Sequence, residues 1–273
     1  MPSGKTSKQR RRAAQVKTPP PVRAKGAPRQ ASPRVLAIGG AIAALIVAGI
    51  VVGIVLSGGK SSTGLPKNAV TVGSLQNALP GASDVAAELK GIPQHGTTLG
   101  TPTAPVTMVE FIDLQCPNCG AFETHVFPDL VQKYVRAGKL KIKVEPWAFI
   151  GPDSVRGQLA MLAAANQNRA FNFAQLLYGN QGVENTGWLN DEMVYKAAAS
   201  IPGLKVKQLF DQRSSAVTKN AADAVAANAN ENGVNATPSV FVGKSGTSPK
   251  FVTLRSNTDE ASVVKAIAAA LTS

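Results

Sequence analysis

A chain of 273 residues with 44% apolar side chains is long enough for a globular core plus a further segment or two. Its net charge of +13 suggests nucleic-acid binding only until the charge is located. Residues 1–34 hold ten of the 29 Lys and Arg and no acid; the other 19 bases face all 16 acids, so the folded part has no basic excess that points to nucleic acid.

In chain order, residues 1–34 are rich in Lys, Arg, Pro and Ser and are expected to be a disordered tail. The 22 residues from Val35 to Leu56 then carry no charge and no polar side chain. As a helix they would span about 33 Å, against roughly 30 Å of hydrocarbon. This reads as an uncleaved signal-anchor in a lipid bilayer, with the basic tail in the cytoplasm and the rest of the chain outside. A cleaved signal peptide is the alternative, but the run is long for one. Gly49 and Gly53 have the G-x-x-x-G spacing that lets two such helices pack. Residues 57–98 are expected to be a linker, with a short helix over 83–90 and His95 in an exposed turn.

Val106 to Ile112 reads as a strand covered on both faces. Val106, Met108, Glu110 and Ile112 share one face; Thr107, Val109 and Phe111 share the other. Glu110 is the exception among apolar neighbours. Lost solvation there raises a carboxyl's pKa and makes it a candidate proton carrier. Cys116-Pro117-Asn118-Cys119 follows, holding the only two cysteines of the chain. The first sulfur sits where a helix begins, and a helix N-terminus favours the reactive thiolate.

A helix is expected over 120–137, with Phe122, Val126, Leu130 and Tyr134 as its apolar stripe and a break at Pro128. His125 lies off that stripe. Residues 139–145 alternate Lys with apolar side chains and read as an edge strand. Residues 151–233 show no convincing strand and read as five helices, a helical insertion. Strands return over 239–242 and 251–254 as a hairpin, and 259–271 closes the chain as a helix.

The bland readings of the cysteine pair are weak. A structural disulfide here closes too short a loop to gain much. A zinc site needs more ligands than one C-x-x-C, and His95 and His125 have no finger-like spacing, so no metal is expected. No glycine-rich phosphate loop follows a strand. No cofactor is expected beyond a redox-active disulfide Cys116–Cys119.

Glu110-Phe111, the Cys116-Pro117-Asn118-Cys119 motif, the helical insertion and Ala236-Thr237-Pro238-Ser239 before a strand together resemble the DsbA-like thiol–disulfide oxidoreductases, in particular membrane-anchored, extracytoplasmic bacterial members. The resemblance covers residues 99–273. It implies an α/β thioredoxin fold with an inserted helical subdomain. It implies Cys116 as exposed nucleophile, Cys119 as buried resolving cysteine, and Glu110 as the acid beneath them. Pro238 would be a cis-proline against the site, and the backbone of Thr237 would pair with an extended substrate. The implied partners are exported proteins with thiols or disulfides, and a membrane redox partner that recycles the pair. Asn118 stands where many such oxidases have histidine. Oxidase, reductase and isomerase remain open, as does a chaperone-like binding module; the location outside the cytoplasm favours an oxidase.

Overall fold

A computed structural model describes residues 64–273. The tail 1–34, the apolar span 35–56 and the start of the linker lie outside the described residues. Among the described residues no helix is long and apolar enough to cross a membrane.

The centre of the fold is a six-stranded sheet in the order β1-β2-β4-β3-β5-β6. The strands are β1 (Gln94–His95), β2 (Thr98–Leu99), β3 (Val106–Ile112), β4 (Leu140–Pro146), β5 (Ser239–Lys244) and β6 (Lys250–Val252). β3 lies in the middle. It pairs parallel with β4, Val106 opposite Leu140, and antiparallel with β5, Glu110 opposite Val240. Its two faces bury against different layers, as the doubly apolar pattern requires. Val106, Met108 and Ile112 join the main core with Phe122, Leu130 and Val263. Phe111 joins Ala229, Val234 and Phe241 on the other side.

Helix α1 (Ala82–Leu89) precedes the sheet, and α2 (Pro117–His125) follows β3. The expected long helix breaks at Val126, resumes as α3 (Phe127–Leu130), and ends in a wider π turn over Val131–Val135. Pro128 has no N–H for the preceding turn, which accounts for the break. The insertion comprises α4 (Pro152–Ala165), α5 (Ala170–Tyr178), α6 (Asp191–Ala199), α7 (Val206–Arg213) and α8 (Ala216–Glu231). Its starts are written locally. Pro152 opens α4 at a position that needs no N–H. Asn190 and Ser215 accept from Met193 N and Thr218 N as N-caps. Helix α9 (Glu260–Thr272) is capped in the same way by Asp259.

Two expectations are corrected. β4 is not an edge strand, because the short β2 pairs along its free side. Its lysines, Lys143 exposed and Lys141 half-buried, mark a partly solvated face, not a free edge. Nor do residues 64–98 behave as a linker. Ala82 and Leu89 are buried in the core. Gly73 N donates to Leu204 O at 2.8 Å, and Val206 N donates to Thr71 O at 3.0 Å. Gly73 passes so close to the carbonyls of Ile201 and Ala198 that a Cβ would overlap them. This glycine is a packing requirement.

Candidate active site

The turn after β3 carries Cys116 to the start of α2, where it is the N-cap with Pro117 behind it. Asp113 builds that turn. Its Oδ1 accepts from Gln115 N at 2.8 Å, and its Oδ2 accepts from Phe149 N and Ile150 N at 2.8 and 2.9 Å. The insertion clamps the same turn from the other side. Tyr178 Oη donates to Asp113 O, and Gln181 Nε2 donates to the carbonyls of Leu114 and Cys116. Replacing Asp113 by Ala leaves the buried Gln115 N–H and the half-buried Phe149 and Ile150 N–H groups without their acceptor and is expected to cost about 3 kcal/mol. A urea melt measures it as a lower midpoint at unchanged slope.

Cys116 is 5% exposed, more sheltered than the exposed nucleophile expected. The cover is the loop before β5. The Thr237–Pro238 peptide is cis, and Cys116 Sγ donates to Thr237 O at 3.3 Å. The two thiols are unequal. Hydrogen bonding from the Cys119 thiol lowers the Cys116 pKa to about 6; Thr237 and the N–H groups of Cys119 and Asn118 add to this, and burial opposes it. Cys119 is fully buried, and burial first, then Cys116, pushes its pKa well above the ordinary thiol value.

Glu110 points from β3 into this region and is 1% exposed. Burial raises it well above the ordinary carboxyl range, and the charge and hydrogen bond of Glu123 raise it further. It is close enough to Cys119 to raise that thiol too. Its Oε1 has no hydrogen-bond partner. The expected burial of this acid is therefore met.

Asn118 faces outward, and its Oδ1 accepts from Asn257 Nδ2 at 3.1 Å. Beside it an open groove of about 410 Å³ is lined by Asn118, Thr237, Pro238 and residues 254–257. His95 is exposed on β1. His125 is exposed at the end of α2, where its Nδ1 contacts Ala121 O. Neither histidine joins the site. Among the described residues no group of three or more His, Cys, Asp or Glu is placed to hold a metal ion.

Sequence reasoning missed Glu123, Asp113 and Gln181. Glu123 had a signal: it lies four residues after Cys119, one helical turn along the same face.

A thioredoxin family model matches residues 94–257. Over 166 residues the chain is 28% identical to the probable disulfide bond formation protein D of Bacillus cereus, covering 60% of this chain and 77% of that one. Disulfide bond formation protein D of Bacillus subtilis is 25% identical over 159 residues, 56% of this chain and 68% of that one. In three dimensions the chain resembles oxidised BdbD of Bacillus subtilis, with a TM-score of 0.58 and 21% identity over 67% of this chain and 98% of that structure. Chlamydia trachomatis DsbA gives a TM-score of 0.55 at 19% identity, over 65% and 92%. With a parallel β3–β4 pair, a C-x-x-C at a helix start and a cis-proline loop against it, this chain belongs to the thioredoxin superfamily, as a DsbA-like thiol–disulfide oxidoreductase.

Proposed function

We propose that the chain is an anchored oxidase that donates the Cys116–Cys119 disulfide to exported proteins outside the cytoplasm. The observation that carries this reading is the inequality of the two thiols. At pH 7 a Cys116 pKa of about 6 raises the thiolate share about 30-fold over a free cysteine. The same stabilisation lowers its nucleophilicity about tenfold. As an attacking group Cys116 gains little. As a leaving group it gains, because a low-pKa thiol departs faster. That favours handing a disulfide on.

In this reading a substrate thiolate attacks the Cys116 sulfur of the disulfide. Cys119 leaves and takes a proton from Glu110. A second substrate thiolate then attacks its own sulfur in the mixed disulfide, and Cys116 departs as thiolate. The substrate lies extended in the groove beside Pro238 and pairs with the Thr237 backbone, in the manner of an added strand. Pro117 and Asn118 set the approach to Cys116. A membrane redox partner takes the two electrons back from the dithiol. The apolar run 35–56 supports anchoring in the bilayer, with 1–34 in the cytoplasm and the catalytic domain outside.

The reduction potential tests this. Over an ordinary thiol, the Cys116 thiolate stabilises the reduced form at pH 7 by about 1.4 kcal/mol, or about 30 mV for a two-electron couple. Equilibration with glutathione buffers is expected to place the pair positive of about −240 mV. A value at the thioredoxin level, about −270 mV, makes the chain a reductase.

A further inference from the structure

We propose that Glu123 is a positioning residue for proton transfer: with Glu110 it forms a buried carboxyl pair that holds either two protons or one, and so serves Cys119 as acid in one half of the cycle and base in the other. This rests on the reading of Cys119 as the resolving cysteine.

Several elements bring the pair together. Glu110 comes from β3 and Glu123 from α2, and both are buried. The two carboxyls are close enough to shift one another, Glu110 upward and Glu123 downward. From α5, Gln175 Nε2 donates to Glu123 Oε2. That donor occupies one oxygen of Glu123 with a hydrogen bond that favours the carboxylate. Glu110 keeps one oxygen, Oε1, without a partner. The single-proton pair is therefore ordered: the charge rests on Glu123, and the proton lies between the two carboxyls.

The other groups facing the pair are Cys119 on α2, Tyr178 on α5 and Glu88 on α1. Burial pushes Tyr178 up, so it stays a neutral phenol. Glu88 adds negative charge that raises Glu123, and Arg136 partly offsets that charge at Glu88. Burial raises Glu123 to about 8, against the lowering effects of Gln175 and Glu110. Two carboxyls coupled in this way titrate as a unit. Near neutral pH both proton counts are accessible. A lone Glu110 would carry the whole negative charge itself after giving up its proton, against the burial that raises it.

The balance closes in both directions. When substrate sulfur bonds to Cys116, the S–S bond to Cys119 breaks. Cys119 leaves with the electron pair and takes a proton, and the pair falls from two protons to one. During recycling the partner's sulfur is bonded to Cys116. The Cys119 thiol returns its proton to the pair as its sulfur attacks Cys116. The Cys116–Cys119 bond forms, and the partner's sulfur departs as thiolate.

Stopped-flow mixing of the reduced protein with an aromatic disulfide that releases a coloured thiolate reads both sulfurs in one trace. The first release reports attack by Cys116. The second reports attack by Cys119 on the mixed disulfide and should depend on the carboxyl pair. In Glu123→Gln the second phase is expected to slow about tenfold at pH 7 relative to the first, with its pH midpoint shifted. Carbon NMR should show the Glu110 carboxyl titrating at lower pH, because two influences that raise it are gone. Gln175→Leu should move the midpoint the other way, upward, because Glu123 loses its donor. If the midpoint and the Glu110 titration match the wild type in both variants, Glu123 has no part in the transfer. If the first phase is missing from the wild type, the assignment of Cys116 fails instead.

Discussion

In a Cys116→Ser chain, alkylation of the remaining thiol at pH 7 is expected to fall at least about 100-fold, and disulfide exchange should stop. Two causes multiply. Cys119 is fully buried, and its thiol is held well above the ordinary value by that burial, so almost none of it is thiolate at neutral pH. Cys116, with a pKa of about 6, is mostly thiolate under the same conditions. The reciprocal variant separates the roles. Cys119→Ser keeps a reactive Cys116, so alkylation stays fast. Its mixed disulfides have no internal sulfur to resolve them and should accumulate as covalent adducts visible on a non-reducing gel. Mass-spectrometric rates of alkylation for the two single variants decide the matter. Equal rates would remove the asymmetry on which nucleophile and resolving cysteine are assigned. Should Cys116→Ser still hold unfolded chains while exchange is lost, a chaperone-like function gains ground.

What the sequence made legible was local or periodic. The strand before the motif and the side on which Glu110 falls follow from the pattern of seven residues, and the C-x-x-C is read directly at the helix start beyond it. The caps at Asn190, Ser215 and Asp259 are equally local. What stayed hidden depends on partners far along the chain. Glu123 neighbours Phe122 on α2, and one of the groups that meet it, Gln175, comes from 52 residues later. Gln181 reaches Leu114 and Cys116 across more than 60 residues. The short β1 and β2 show no alternation because two residues cannot carry a period. Residues 64–80 read as linker because glycines and prolines mark both a flexible chain and a tightly threaded one. Bonds to the insertion distinguish them, among them those of Thr71 and Gly73 to Val206 and Leu204 and that of Leu79 N to Ser200 Oγ.

Replacing Glu110 by Gln is expected to raise stability and lower exchange together, with a pH dependence that identifies the cause. In the unfolded chain Glu110 ionises near the ordinary carboxyl value of 4.5; in the fold, burial and Glu123 hold its proton to much higher pH. Below pH 4.5 both states keep the proton, and the wild type loses nothing by carrying an acid there. As pH rises past 4.5 the unfolded chain releases its proton while the folded one cannot, so wild-type stability declines until the folded group itself ionises. Gln keeps the shape and removes that dependence. Denaturant melts should therefore show no difference near pH 4 and a variant more stable by about 2 kcal/mol at pH 8. Exchange moves the other way. Without the Glu110 carboxyl the group that passes the proton directly to and from Cys119 is lost, and the Cys119-dependent step is expected to slow about 100-fold. An acid kept in the core only to fill space would give the same gain in stability at high pH, with the exchange rate and its pH profile unmoved. Opposite signs in the two measurements identify a carboxyl that the fold buries at a cost in stability because the chemistry at Cys119 needs it there.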